Sequence, residues 1–115
     1  MAVSTNLKSD KSGNWRLPTI EELRNAFDYE RGKPKVDGFT SGYYWSSTTH
    51  AYSTGHAWIV YFYNGYTNYY YKSYAYYVRC VKEIENGKLE WSRPSKDEMT
   101  WDKANKYCKE LNNEK

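Results

Sequence analysis

A chain of 115 residues, with 17 Lys and Arg against 14 Asp and Glu, has room for one compact core and not for two ordinary domains. A mean hydropathy of −1.03, with no apolar run of about 18 residues, excludes a membrane-spanning helix; MAVSTNLKSDKSG also lacks the apolar stretch of a signal peptide, so export would need a signal outside this sequence. A net charge of +3 with pI near 8.7 is too weakly basic to make nucleic acid the default partner, and 19% aromatic residues argues against disorder.

In chain order, residues 1–14 read as a polar tail or linker and 15–115 as the domain. Thr19 to Glu22 fits a capping box, with Ile20, Leu23 and Phe27 at helical spacing, which predicts a helix over 19–28. Residues 31–42, with Gly32, Pro34, Asp37, Gly38 and Gly42, read as a loop.

Next comes the most biased stretch of the chain. Twelve of the fourteen tyrosines fall between Tyr43 and Tyr77, where Lys72 is the single formal charge and His50 and His56 are the other polar titratable groups. Tyrosine among Ser, Thr, Asn and Gly is the composition of adaptable binding surfaces, and tyrosine is also a strong strand former. Asn64-Gly65 between β-forming flanks predicts a hairpin over 57–72 with a two-residue turn. That turn would set Tyr63 opposite Tyr66, Phe62 opposite Thr67, Tyr61 opposite Asn68, Val60 opposite Tyr69, Ile59 opposite Tyr70 and Trp58 opposite Tyr71. Alternation then gives a core face of Trp58, Val60, Phe62, Thr67, Tyr69 and Tyr71, and an outer face of Ile59, Tyr61, Tyr63, Tyr66, Asn68 and Tyr70.

A strand over 76–82 would place Val78 and Cys80 on one side and Arg79 on the other. After a short segment at 88–91 and a loop through Pro94, Thr100 caps a second helix, 100–112, whose Trp101, Ala104, Cys108 and Leu111 repeat at helical spacing. Cys80 and Cys108 therefore both face the core, either as a disulfide or as two buried free thiols.

Trp15-Arg-Leu-Pro-Thr-Ile-Glu-Glu-Leu23, Tyr44-Trp-Ser-Ser-Thr48, Ala57-Trp-Ile-Val-Tyr-Phe62 with Gly65, and Tyr77-Val-Arg-Cys-Val81 follow one another over about 67 residues. Together they closely resemble the Lcl C-terminal-domain family, domains of largely unassigned function on bacterial surface and phage-related proteins. Leu89-Glu-Trp91, Met99-Thr-Trp101 and Tyr107-Cys108 with Leu111-Asn112 resemble a family segment that normally precedes the Trp-Arg-Leu-Pro motif. The chain thus looks circularly permuted, or cut from a tandem array, with the family's leading helix at its C-terminus. The resemblance implies an α+β, C-type-lectin-like fold, a small twisted antiparallel sheet with two flanking helices. It further implies a disulfide between Cys80 and Cys108 and a ligand surface between Tyr44 and Tyr77. Similar domains are targets of diversity-generating retroelements, whose codon randomisation enriches Tyr, Asn, Ser, Thr and His.

Other chemistries find little support in the residues. No carboxylate lies near His50 or His56 in sequence to orient a catalytic base, and the cysteine pair used by distantly similar formylglycine-generating enzymes is here committed to the core. His50 and His56 are six apart without flanking acids, a poor zinc pattern. Asp28, Glu30 and Asp37 could supply calcium ligands but read better as solvated charges, and the Glu-Pro-Asn and Trp-Asn-Asp motifs of calcium-dependent lectins are absent. Lys72 and Arg79 are too few cations for a base-stacking groove.

The sequence therefore leads to a non-catalytic recognition module without cofactor or metal, in an extracellular or cell-surface setting that a disulfide would suit. Its partner would be a protein or glycan on a cell surface, with no membrane insertion. Trp15, Leu17, Leu23, Trp45, Trp58, Val60, Phe62, Val78 and Trp101 would form the core. His50, Tyr52, His56, Tyr61, Tyr63, Tyr66, Asn68, Tyr70 and Tyr74 would form the variable ligand-facing surface. The competing reading is a structural module of a repeat array, self-associating through the same aromatic face or by swapping its last helix.

Overall fold

The computed structural model describes residues 14–113, so the tail read at 1–14 lies, except for Asn14, outside the described residues. The elements are α1 (Ile20–Asn25), β1 (Phe27–Asp28), β2 (Lys33–Pro34), β3 (Tyr43–Thr49), β4 (His56–Tyr61), β5 (Tyr66–Tyr71), β6 (Val81–Glu83), β7 (Leu89–Trp91) and α2 (Trp101–Glu110), the last followed by a 3-10 turn at Leu111–Asn113. Among the described residues these form three small antiparallel sheets: β1 with β2, β6 with β7, and β3-β4-β5 at the centre. The class is α+β, as expected.

The α1 capping box forms as read. Thr19 Oγ1 accepts the Glu22 N–H and the Glu22 carboxylate accepts the Thr19 N–H, satisfying two donors that a helix N-terminus would otherwise leave unpaired. Glu22 also takes both arms of the Arg16 guanidinium, at 2.8 and 2.9 Å. The helix stops at Asn25 rather than 28, because Phe27 buries its ring as part of β1, opposite Pro34. The loop read at 31–42 therefore contains one short strand.

The hairpin exists, but its register is displaced by two residues. Tyr61 pairs with Tyr66, Val60 with Thr67, Ile59 with Asn68, Trp58 with Tyr69, Ala57 with Tyr70 and His56 with Tyr71, leaving Phe62 to Gly65 as a four-residue loop. The cause is Phe62. Its ring stacks on Phe39 at 3.9 Å and its N–H bonds the Gly42 carbonyl, so it cannot also stand opposite Thr67. Gly65 closes the loop at φ +82°, where a Cβ would lie 2.6 Å from the Phe27 and Tyr29 rings. A slip of two keeps every side chain on its face, so the expected partition of the hairpin survives the wrong register.

What changes is the meaning of the faces, because the central sheet is covered on both. On one side Trp45, Ala57 and Ile59 pack with Leu17, Val78, Cys80, Ala104 and Cys108, under α2. On the other, Tyr44, Val60 and Phe62 pack with Ile20, Leu23, Ala26 and Phe27, under α1. We call these the α2 side and the α1 side. The supposed outer face is the α2 side, with Ile59 wholly buried, so its assignment to solvent is corrected. Of the expected core, Leu17, Leu23, Trp45, Val60, Phe62 and Val78 are buried, whereas Trp15, Trp58 and Trp101 pack at its margins.

The strand read over 76–82 is broken into bridges, Tyr76 with Met99 and Tyr77 with Tyr44, before β6 begins at Val81. Between them, Ser95 and Ser92 hydroxyls accept the Val78 and Cys80 N–H groups. The expected alternation still holds: Val78 and Cys80 join the α2-side core, and the Arg79 guanidinium turns to Phe39 and Trp91.

Thr100 stands at the N-cap of α2, but its side chain makes no capping hydrogen bond, which corrects the expected cap. Helix α2 docks on its own chain. Cys108 is bonded to Cys80 with Cα atoms 5.6 Å apart, the Trp101 indole N–H donates to the Ser46 carbonyl, and Asn112 brackets the Trp15 backbone. The bridge spans 28 residues, a loop whose closure stabilises the fold by about 3.5 kcal/mol in the chain-entropy account. Replacing both cysteines with Ala should lower unfolding stability by about that amount in urea titrations. Phe62→Ala should cost about 3–5 kcal/mol by the same measurement, whereas a loss below about 1 kcal/mol would mean that Phe62 does not hold the loop.

Candidate functional site

The nine residues expected at one surface divide between the two sides of the central sheet. Tyr61, Tyr66, Asn68 and Tyr70 share the α2 side by alternation, where Tyr74 and, through the loop, Tyr63 join them. His56 stands on the α1 side, and His50 and Tyr52 meet it there. The nine therefore do not share one sheet face, although Tyr74, 5.6 Å from Tyr71 by ring centroid, links the two sides around the end of β5.

On the α2 side the tyrosines form a ring-to-ring array. Tyr43 lies 4.4 Å from Tyr61, 5.2 Å from Tyr76 and 5.8 Å from Tyr70 by ring centroid, and Tyr74 extends the array from Tyr70. Its inner rings rest on the core while Tyr63 and Tyr66, 66% and 57% exposed, stand free of it. Burial, then the neighbouring phenols of Tyr70, Tyr43 and Tyr74 and the Glu98 carboxylate, push the Tyr76 hydroxyl up to about 12. Burial and the phenols of Tyr70, Tyr61 and Tyr66 raise Tyr43 as well. The array thus offers aromatic faces and phenol hydroxyls.

On the α1 side, His50 stacks between Trp58 and Tyr69, at 5.3 and 4.1 Å, and His56 lies 4.1 Å from Tyr71. His50 Nδ1 accepts the N–H groups of Tyr52 and Ser53, which assigns its proton to Nε2 and commits the ring to bracing the 50–53 turn. Tyr52, 93% exposed, projects from that turn.

Sequence reasoning missed Tyr43 and Tyr76 on the first side and placed Trp58, Tyr69 and Tyr71 in the core of the second. Tyr71 is 53% exposed and Tyr69 39%. The two-residue register error hid them: once His56 rather than Trp58 faces Tyr71, the end of the hairpin runs past the α1-side core.

Both cations near the tyrosines are engaged. Lys72 Nζ sits 4.0 Å over the Trp101 ring. Arg79 is 7% exposed, its Nε–H donates to the Ser92 carbonyl, and burial holds its basicity below the ordinary value. Among the acids weighed against calcium binding, Asp28 accepts the Glu30 and Arg31 N–H groups and the Arg31 guanidinium; those Arg31 bonds lead in pulling its carboxyl below the usual range. Among the described residues no three His, Cys, Asp or Glu side chains are grouped to hold a metal ion. A groove of about 640 Å³ beside α1, lined by Glu21, Arg24, Asp28, Glu30, Arg31 and Lys35 among others, contains none of the nine expected residues.

The Lcl C-terminal domain family model matches residues 1–82. No curated protein and no solved structure matches the chain. The matched segment includes all twelve clustered tyrosines and Cys80, while β7, α2 and Cys108 lie beyond it.

A phenol raised from 10 to about 12 keeps, in the folded protein, a proton that the unfolded chain has lost. Its contribution to stability is complete below pH 10 and is lost as pH rises through that window. Tyr76→Phe should therefore flatten the fall in melting temperature between pH 10 and pH 12 and remove the last part of the ultraviolet tyrosinate titration. An unchanged alkaline profile would place the late-ionising phenol elsewhere.

Proposed function

The chain belongs to the Lcl C-terminal domain family, and from that premise we propose that it is a non-catalytic recognition module, C-type-lectin-like in fold, that captures a protein or glycan on a cell surface. It acts as an adhesin or receptor-binding domain of a surface or phage-related protein, outside the cytoplasm. One observation carries the reading: large exposed tyrosines in a nearly charge-free stretch stand on a sheet whose two faces are both packed. Tyr52, Tyr63, Tyr66, Tyr71 and Tyr74 are all exposed. Each offers wide amphipathic contact for two rotors, and the buried scaffold keeps the ordering cost of binding low.

Other features agree. The cysteines form a disulfide, which suits an oxidising compartment and leaves neither as a thiolate nucleophile. No described helix is long and apolar enough to cross a membrane. Tyr, Asn, Ser, Thr and His at these positions are also the residues that codon diversification would enrich, which supports a variable face.

Tyr61 is partly buried against Tyr43, so the cleanest probe of the surface is Tyr63→Ser, Tyr66→Ser and Tyr74→Ser combined. Labelled protein applied to intact bacterial cells and to a mixed glycan and protein panel should bind. The triple variant should bind at least about tenfold more weakly with its melting temperature little changed. Equal binding by a folded triple variant, or a parent that binds nothing on either panel, would overturn the reading.

A further inference from the structure

The central sheet ends at β5, and among the described residues no strand pairs with its outer side. The Lys72 N–H bonds the Gly55 carbonyl at 2.8 Å, continuing the ladder just past the His56–Tyr71 pair. Antiparallel strands turn alternate residues' N–H and C=O groups toward each neighbour. Tyr66, Asn68 and Tyr70 therefore bond β4, while Thr67, Tyr69 and Tyr71 direct their backbone groups to the open edge.

Sheet edges are ordinarily blunted by charge, proline, a bulge or a covering segment. Residues 66–71 contain no charge and no proline, their pairing with β4 is unbroken, and Lys72, the next residue, is folded back over Trp101. Two outward groups are already engaged. Asn68 Oδ1 accepts the outward Tyr69 N–H at 2.8 Å and guards it. The outward Tyr71 carbonyl takes the Tyr74 N–H and keeps a second lone pair.

We propose that this edge pairs antiparallel with the same edge of a second copy of the chain, about a two-fold axis at Tyr69, in competition with the Asn68 side chain. The axis sets Thr67 opposite the partner's Tyr71 and Asn68 opposite the partner's Tyr70, so each outward group meets a complementary one. A second copy fits because β5 is free of charge along its length: self-pairing of a charged strand would place like charges close across the axis. The exposed rings of Tyr66, Tyr69 and Tyr71 lie on both faces of the edge, and a symmetric partner extends both. Aromatic enrichment with charge depletion is also the composition of an interface core. The pairing extends the sheet sideways, and it stands or falls independently of what the tyrosine surface binds.

Sedimentation equilibrium of the full chain over rising concentration decides it, with melting curves to check folding. The mass should climb from 13.7 kDa toward twice that value. Tyr69→Lys should weaken association at least about tenfold by repulsion at the axis, and Thr67→Pro should do the same by removing an N–H that β4 does not use. Asn68→Ala, which removes the guard, should shift association to lower concentration. Should Thr67→Pro fail to fold, Tyr69→Lys decides alone. A parent and an Asn68→Ala variant that both stay single at every concentration would overturn the proposal, as would association unchanged in a folded Tyr69→Lys protein. A single-chain parent whose panel binding is lost in the edge variants would assign the edge to an extended peptide instead, and so also overturn it.

Discussion

Strand β4 has no face to spare. Ala57 and Ile59 are sealed against the disulfide and α2, and Val60, with Phe62 just beyond it, against α1 and the Phe27 and Phe39 rings. Burying an aliphatic side chain stabilises a fold by about 1.5–3 kcal/mol, and a domain of this size has few places to collect such contributions. The sheet therefore serves as the common wall of two small cores, and the polar and aromatic residues between Tyr43 and Tyr77 are distributed around that wall's rim.

This arrangement explains how so many tyrosines coexist with a defined structure. Tyr44 is wholly buried, with its hydroxyl bonded to Thr40; Tyr43, Tyr70 and Tyr76 lean on the core with their rings against one another; Tyr52 and Tyr63 leave it altogether. A single residue type thus performs three duties, set by the depth at which each strand position meets the wall. The buried tyrosine anchors, the intermediate ones support, and the outermost ones are free to change without touching either core. The same division separates the cations: Arg79 is part of the packing under Phe39 and Trp91, and Lys72 is held to Trp101.

Local chemistry was legible in the residues and long-range competition was not. Thr19 and Glu22 announce the start of α1 because a capping box is closed within four residues. The spacing of Trp101, Ala104 and Cys108 gives α2 for a similar reason, and the family resemblance supplied the cysteine pairing that spacing alone had left open. The hairpin turn is different. Asn64-Gly65 favours a two-residue loop, and Phe39, some 25 residues upstream, decides otherwise by claiming the Phe62 ring. Likewise nothing local to Ile59 reveals that a helix more than forty residues downstream covers it. The surface was legible as a composition and illegible as a shape, since which sheet face each helix covers, and the return of His50 beside Trp58 and Tyr69, are set by contacts between segments remote from one another in sequence.

The bond between Cys80 and Cys108 has a consequence for the molecule's covalent continuity. The connection from β6 through β7 to α2 runs between the two sulfurs, and its turn at Ile84 to Lys88 is exposed. A protease that cut that turn would produce two polypeptides still joined as one molecule, with the three-stranded sheet, every clustered tyrosine and the helix beneath them retained. Under oxidising conditions the domain can be nicked and remain whole, and only a reductant would then release the smaller piece.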